Sequence, residues 1–185
     1  MKRRFALDVD GKQEIEVKTG EATLHRLLEQ VQRSWKKLGE EAPHWSVVTR
    51  DEFRPDQFHA HQEEFWRSGE GDVQRFFIWA ARNGIPVDPG WTCPDYGCGA
   101  GRSTAVLAQR FSKVIGCDVS APHMALAARR LKDQRNTNVE FILVNSLAAL
   151  DSLPPVDLIF SVIVLQHNPP PVIVALLERL LMHLR

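Results

Sequence analysis

Residues 93–104 read CPDYGCGAGRST. Gly97, Gly99 and Gly101 alternate directly after an acid, Asp95, with an apolar run before them and a stretch of helical period, residues 102–111, behind them. Such a segment leaves a strand and enters a helix. Glycine reaches φ > 0 without steric cost and removes the Cβ that would keep a ligand off the backbone. The helix beyond turns its free N–H groups toward the same point. Two familiar occupants do not fit. A dinucleotide loop, G-x-G-x-x-G, needs a third glycine where Arg102 stands. A Walker A loop needs Gly-Lys-Ser/Thr, which does not follow.

Working outward, KVIGCDV (113–119), NVEFILVN (138–145) and VDLIFSVIV (156–164) are further short apolar runs, and residues 120–133 carry a second helical period. Apolar strands alternating with helices predict a parallel sheet covered on both faces. Ligands of such sheets sit outside the carboxyl ends of the strands.

Upstream the pattern changes. Residues 4–18 alternate apolar and polar around Asp10-Gly11, which predicts a hairpin. Leu24, Leu27, Leu28, Val31, Trp35 and Leu38 form the stripe of a helix over 21–38, with Gly39 at its end. Two more helices are expected, one from near Pro55 to Gly69 and one through Val73, Phe76, Phe77 and Ala80 to Asn83-Gly84, before the linker IPVDPG at 85–90. The organisation expected is a hairpin and helical lead-in over 1–89 and a binding core over 90–185. Trp35, Trp66 and Trp79 fit core stripes, while Trp45 is placed to line a pocket.

The chain has 185 residues, and Lys+Arg and Asp+Glu both number 23, so nothing in the charge signals a nucleic acid or an anionic membrane as partner. No apolar run approaches the ~20 residues of a membrane span. Three cysteines without CxxC spacing fit a reducing, cytoplasmic setting. Cys98 and Cys117 read as small buried residues rather than a redox pair. His59-x-His61-x-Glu63 does not make a metal site, since residues two apart on a helix face different ways; no metal is expected.

The loop resembles the first motif of the class I S-adenosylmethionine-dependent methyltransferases, Asp/Glu-x-Gly-x-Gly-x-Gly, here Asp95-Tyr96-Gly97-Cys98-Gly99-Ala100-Gly101. Asp118, closing VIGCDVS, resembles the second motif, whose acid accepts the ribose hydroxyls, and Val119 follows it. Met124 stands where the family often places an apolar residue near the adenine. VEFILVNSL resembles the third motif and carries Asn145, Ser146 and Leu147; VDLIFSVIVLQHNPP resembles the fourth strand and its loop, with Ser161 and Val162. HWSVVT and FWRSGEGDVQRFFIWAARNGI resemble the helical lead-in of some bacterial members.

The resemblance implies a three-layer, doubly wound, mostly parallel α/β sheet, incomplete at the C-terminus, with a helical N-terminal segment. It implies S-adenosylmethionine as cofactor, S-adenosylhomocysteine as product and a small-molecule acceptor. Asp95 would organise the loop and the cationic end of the cofactor. Arg102 is either a partner for the methionine carboxylate or a solvated charge on the first helical turn. His167, after the fourth strand, is either a general base or a lining residue.

Three features depart from that pattern. Pro94 removes one ladder N–H from the first strand. Asn145 replaces the usual Asp facing the adenine, although its carbonyl can still accept. Four strands are legible where the family has seven, and no fifth follows the last helix. That helix is apolar nearly all round, from Val172 to Leu181, so it expects cover from a partner, a second copy or further chain. The alternative function is a degenerate, non-catalytic module acting through a partner chain.

Overall fold

The computed structural model describes residues 15–185. Helix α1 spans Glu21–Glu41 and α2 spans Phe58–Arg82, with a short 3₁₀ turn at Asp51–Phe53 between them. Strand β1 (Thr92–Tyr96), helix α3 (Arg102–Leu107), β2 (Lys113–Asp118), α4 (Ala121–Asp133) and β3 (Val139–Leu143) then alternate, and α5 (Pro170–Leu181) ends the regular structure. All three strands are parallel, in the order β1-β2-β3, with Tyr96 beside Cys117 and Asp118 beside Leu143.

The sheet is buried on both faces because its apolar residues alternate between two cores. Tyr96, Ile115 and Cys117 pack with α1 and α5 through Leu28, Val172, Leu176 and Leu180. Cys93 and Val114 face the other way, onto Val73 of α2 and Leu107 and Phe111 beside α3. A third cluster, Phe53, Phe65 and Ala100, joins α2 to the glycine loop.

The fourth apolar run does not form a strand. It touches β1 through one parallel bridge, Asp95 to Phe160, in which Phe160 N donates to Pro94 O and Tyr96 N donates to Phe160 O. The next rung back would need an N–H from Pro94, which has none. Two residues back, Thr92 N donates to the Asp157 carboxylate at 2.9 Å and Thr92 O accepts from Asp157 N at 3.1 Å. Beyond Phe160 the ladder ends at Ile163, which takes φ +56°, a left-handed conformation that a β-branched residue resists. Pro94 thus leaves β1–β2 pairing intact and breaks the pairing on its other edge. After α5 the described residues form no strand; Leu184 makes only an isolated parallel bridge to Val156, with Val156 N donating to His183 O at 2.8 Å and Arg185 N to Val156 O at 3.0 Å.

Several helical expectations change. The break expected near Gly69 between two helices over 55–83 lies elsewhere: α2 is kinked at His61, where φ and ψ leave the helical region, and runs on through Gly69 to Arg82. Gly69 does not end a helix; a Cβ there would lie 2.5 Å from the Arg102 backbone, so this glycine lets α2 cross the start of α3. Gly39 likewise lies inside α1, against α4. Trp79 is 59% exposed rather than part of a core. Val172, Leu176 and Leu180 of α5 are buried, while Leu181 and Met182 stay exposed. The hairpin lies largely outside the described residues; within them, residues 15–20 form no strand. Among the described residues no helix is long and apolar enough to cross a membrane, and no cluster of His, Cys, Asp or Glu is placed to hold a metal.

Residues 43–49 run from α1 across the top of the glycine loop. His44 stacks flat on Phe58 at 3.4 Å, and burial, with His123 nearby, pulls its imidazole down to about 4. The folded chain therefore holds this proton less tightly than the unfolded chain. Stability present above about 6.5 is lost as pH falls toward about 4. Melting temperature should drop across that window, and His44→Phe, which keeps a ring on Phe58 without a proton site, should make the drop smaller.

Candidate functional site

β1 and β2 end side by side, and the loop after β1 is pinned to the end of β2. Gly97 N and Cys98 N both donate to Cys117 O, at 2.7 and 3.1 Å. Gly97, Gly99 and Gly101 all take positive φ, at +79°, +51° and +83°, which brings the loop back under α3. Asp118 closes the arrangement. Its two carboxylate oxygens accept from Gly99 N and Ser120 N, each at 2.8 Å. The acid is buried, which lifts its carboxyl above the ordinary range. Those two backbone bonds and the neighbouring His123 pull the other way.

These groups form the base of a cavity of about 420 Å³. One wall is the broken fourth run, from Phe160 to Val164, with His167 and Asn168 after it. Val31 and Trp35 of α1 and Ser46, Val47, Val48 and Thr49 also line the cavity. Arg102, Ser68 and Asp72 close one end.

Asp95 is 3% exposed and accepts from Thr104 Oγ1 at 2.6 Å. Burial pushes its carboxyl up to about 7, against the pull of that hydrogen bond; Asp118 raises it further and Arg102 lowers it. Folding therefore raises the proton affinity of Asp95 from the 3.8 of an ordinary aspartate. A group with a raised folded value favours the fold below its unfolded value, and that contribution is lost as pH rises through the folded one. Asp95→Asn keeps an oxygen for Thr104 and removes the buried charge. It should stabilise the unliganded chain at pH 8 by on the order of 2–4 kcal/mol and change little at pH 4, read by calorimetric melting.

Of the residues singled out from the sequence, Asp95, Tyr96, Gly97, Cys98, Gly99, Arg102, Asp118, Val119, Val162 and His167 line this cavity. Arg102 is neither free nor solvated. Its guanidinium donates to Ser68 Oγ at 2.6 Å and to Asp72 at 3.3 Å, with the side chain 12% exposed. His167 ends a 3₁₀ turn, Leu165–His167, edge-on to Trp35 at 5.4 Å.

Gly101, Met124, Asn145, Ser146, Leu147 and Ser161 do not line it. Gly101 faces Ala127 of α4 instead. Met124 is buried, and the helical phase turns its neighbour His123 to the cavity. Asn145 is exposed where the chain turns away from β3, and Gln32 of α1 occupies the carbonyl of Val144 just before it. Leu147 packs in the core beside α5, and Ser161 donates to Tyr96 O at 2.9 Å, tying the fourth run to β1. Trp45 also stands outside, with Arg54 over its ring at 5.0 Å. Trp35 takes the lining position, since the amphipathic stripe of α1 does not show which of its ends meets the cavity.

The comparisons with known proteins agree with this geometry. A family model described as a methyltransferase domain matches residues 94–185. The trans-aconitate 2-methyltransferase of Azoarcus sp. (strain BH72) is 41% identical over 103 residues, covering 55% of this chain and 38% of its own length. The chain thus spans well under half of that relative. Among solved structures, phosphoethanolamine N-methyltransferase 1 of Haemonchus contortus, in complex with phosphoethanolamine and S-adenosylhomocysteine, superposes with a TM-score of 0.63 at 16% identity, over 90% of this chain and 31% of its own. The magnesium protoporphyrin IX methyltransferase of Synechocystis PCC 6803 with bound S-adenosylmethionine gives 0.60 at 19% identity, over 85% and 71%. At such identities the superpositions speak for the fold. Motif, family model and fold meet over residues 94–185, and that part of the chain is a methyltransferase domain with the fold of the class I S-adenosylmethionine-dependent enzymes.

Proposed function

We propose that this protein transfers a methyl group from S-adenosylmethionine to a small-molecule acceptor. The observation that carries the proposal is Asp118, buried in the cavity wall and clamped by Gly99 N and Ser120 N at the mouth of the glycine loop. The donor set fits the cofactor. A carboxylate held by two N–H groups keeps lone pairs for a ribose diol. Asp95, a second buried carboxylate, suits the cationic end, and Val119, Val162 and Trp35 offer apolar surface for a base. When bound, the cofactor supplies an electrophilic methyl on a sulfonium, with a neutral thioether as leaving group.

The chain's own residues then align the acceptor and exclude water. Trp35 and segment 46–49 cover the cavity, and His167, edge-on to Trp35, and Asn168 line it beside them. His167 either takes the acceptor's proton or orients it. For a carboxylic acid no base is required, because the acceptor is already an anion at neutral pH.

Small organic acids are the first acceptor class to test, on the strength of the relative acting, by its name, on trans-aconitate. The assay measures S-adenosylhomocysteine release with a panel of di- and tricarboxylic acids, and with phosphoethanolamine as an amine control. Turnover with an acid supports the proposal. Turnover with the amine alone removes the acid class. A chain that binds S-adenosylhomocysteine yet turns over nothing favours a non-catalytic module working through a partner. The exposed Leu181 at the end of α5 and Met182 just after it support that second reading, and we propose the same face for any self-association.

A further inference from the structure

One buried side chain joins the cavity's cover to its base, and no motif accounts for it. His123, on the first turn of α4, is 1% exposed. Its Nδ1 lies 2.8 Å from Ser120 Oγ. The single hydroxyl proton of Ser120 goes to the carbonyl of Trp35 in α1, at 3.0 Å, and a carbonyl can only accept. Nδ1 therefore carries a proton and donates to Ser120 Oγ. On the far side of the ring, Nε2 lies 3.0 Å from Ser46 Oγ and 3.1 Å from Pro43 O, both in the covering segment. Ser46 Oγ also lies 3.2 Å from Pro43 O, so Nε2 accepts from the Ser46 hydroxyl when unprotonated and donates to Pro43 O or Ser46 Oγ when protonated.

The same Ser120 gives its backbone N–H to Asp118, which also holds Gly99 N. A chain of hydrogen bonds thus runs from the glycine loop through Asp118, Ser120 and His123 to segment 43–46, with a branch to α1. Two close approaches make room for it. A Cβ on Gly39 would lie 2.7 Å from Nδ1, so only glycine lets α1 pass over the ring. Val47, just past the latch, would lie 3.2 Å from a Cβ on Gly99, so the cover sits directly on the loop.

We propose that His123 is a positioning residue that latches segment 43–49 over the cofactor loop, so that cofactor retention depends on the reach of its imidazole to Ser46 and Pro43. The proposal rests on the cofactor reading given above. Asn and Gln separate its two sides. Asn places an amide near Nδ1 and reaches only Ser120; Gln extends one methylene further and reaches segment 43–46.

The test measures the affinity of S-adenosylhomocysteine, and the hydrogen exchange of amides 44–49 in the unliganded chain, for wild type, His123→Asn, His123→Gln and Ser46→Ala. Ser46 lies in the cover, so its variant leaves α4 and the sheet untouched. His123→Asn and Ser46→Ala should weaken binding about tenfold and speed exchange of 44–49 by a similar factor, with β1–β3 amides unchanged. His123→Gln should stay within about threefold of wild type. Equal behaviour of Asn and Gln, unchanged exchange in 44–49, or loosening spread over the sheet would each overturn the latch. If wild type does not bind S-adenosylhomocysteine, the cofactor reading fails by itself, and exchange in the unliganded chain still decides the latch.

Discussion

Asp118→Ala should lower the affinity for S-adenosylhomocysteine by at least about 100-fold, on the order of 3 kcal/mol. Two effects add. The substitution removes the acceptor proposed for the ribose, and it releases the two N–H groups that Asp118 holds at 2.8 Å. Each buried N–H left without a partner costs about 1–3 kcal/mol, so Gly99 and Ser120 will shift to find other acceptors and the loop will lose its shape. Asp118→Asn keeps one carbonyl oxygen and should fall between Ala and wild type. Calorimetric titration at a temperature where circular dichroism shows all three chains folded separates lost binding from lost structure. Wild-type affinity in a folded Asp118→Ala chain would place the cofactor elsewhere.

Gly97→Ala should cost about 3 kcal/mol of stability. Two independent terms lead there. Gly97 sits at φ +79°, where a Cβ costs about 1–2 kcal/mol. The new Cβ would also lie 2.2 Å from Cγ2 of Val164, on the wall formed by the broken fourth run. Melting should fall by roughly 6–12 °C for a chain of this size. Val164→Ala in the same chain removes the clash and leaves the backbone cost, so the double variant should recover part of the loss and show coupling between the two sites. Gly71→Ala is the control. It lies in α2 with nothing within 4 Å of its Cβ, and should be neutral or stabilising by about 0.5–1 kcal/mol.

The loop and the acid that ends β2 were legible because both depend on spacing along a single strand–loop–helix unit. Asp95, Gly97, Gly99 and Asp118 come together through the register of β1 with β2, which short apolar runs already imply. Glycine was harder to read. Gly39 and Gly69 look like helix ends, yet they sit inside helices where another element passes within van der Waals distance, and that neighbour is far along the chain. The fourth run has the apolar pattern of a strand, but pattern describes side chains. Its ladder fails in the backbone, at Pro94 on one side and Ile163 on the other.

The cover was hidden for a third reason. His123 meets Pro43 across 80 positions, and no local periodicity carries such a pairing. Met124 and His123 differ by one residue on α4, and a shift of one step turned the expected adenine contact into a latch.

The most direct test of the cofactor reading is calorimetric titration of the 185-residue chain with S-adenosylhomocysteine. The geometry of Asp118, Asp95 and the glycine loop predicts one site with micromolar affinity. A chain that melts cooperatively and gives no binding heat, with no rise in melting temperature at millimolar ligand, would contradict it.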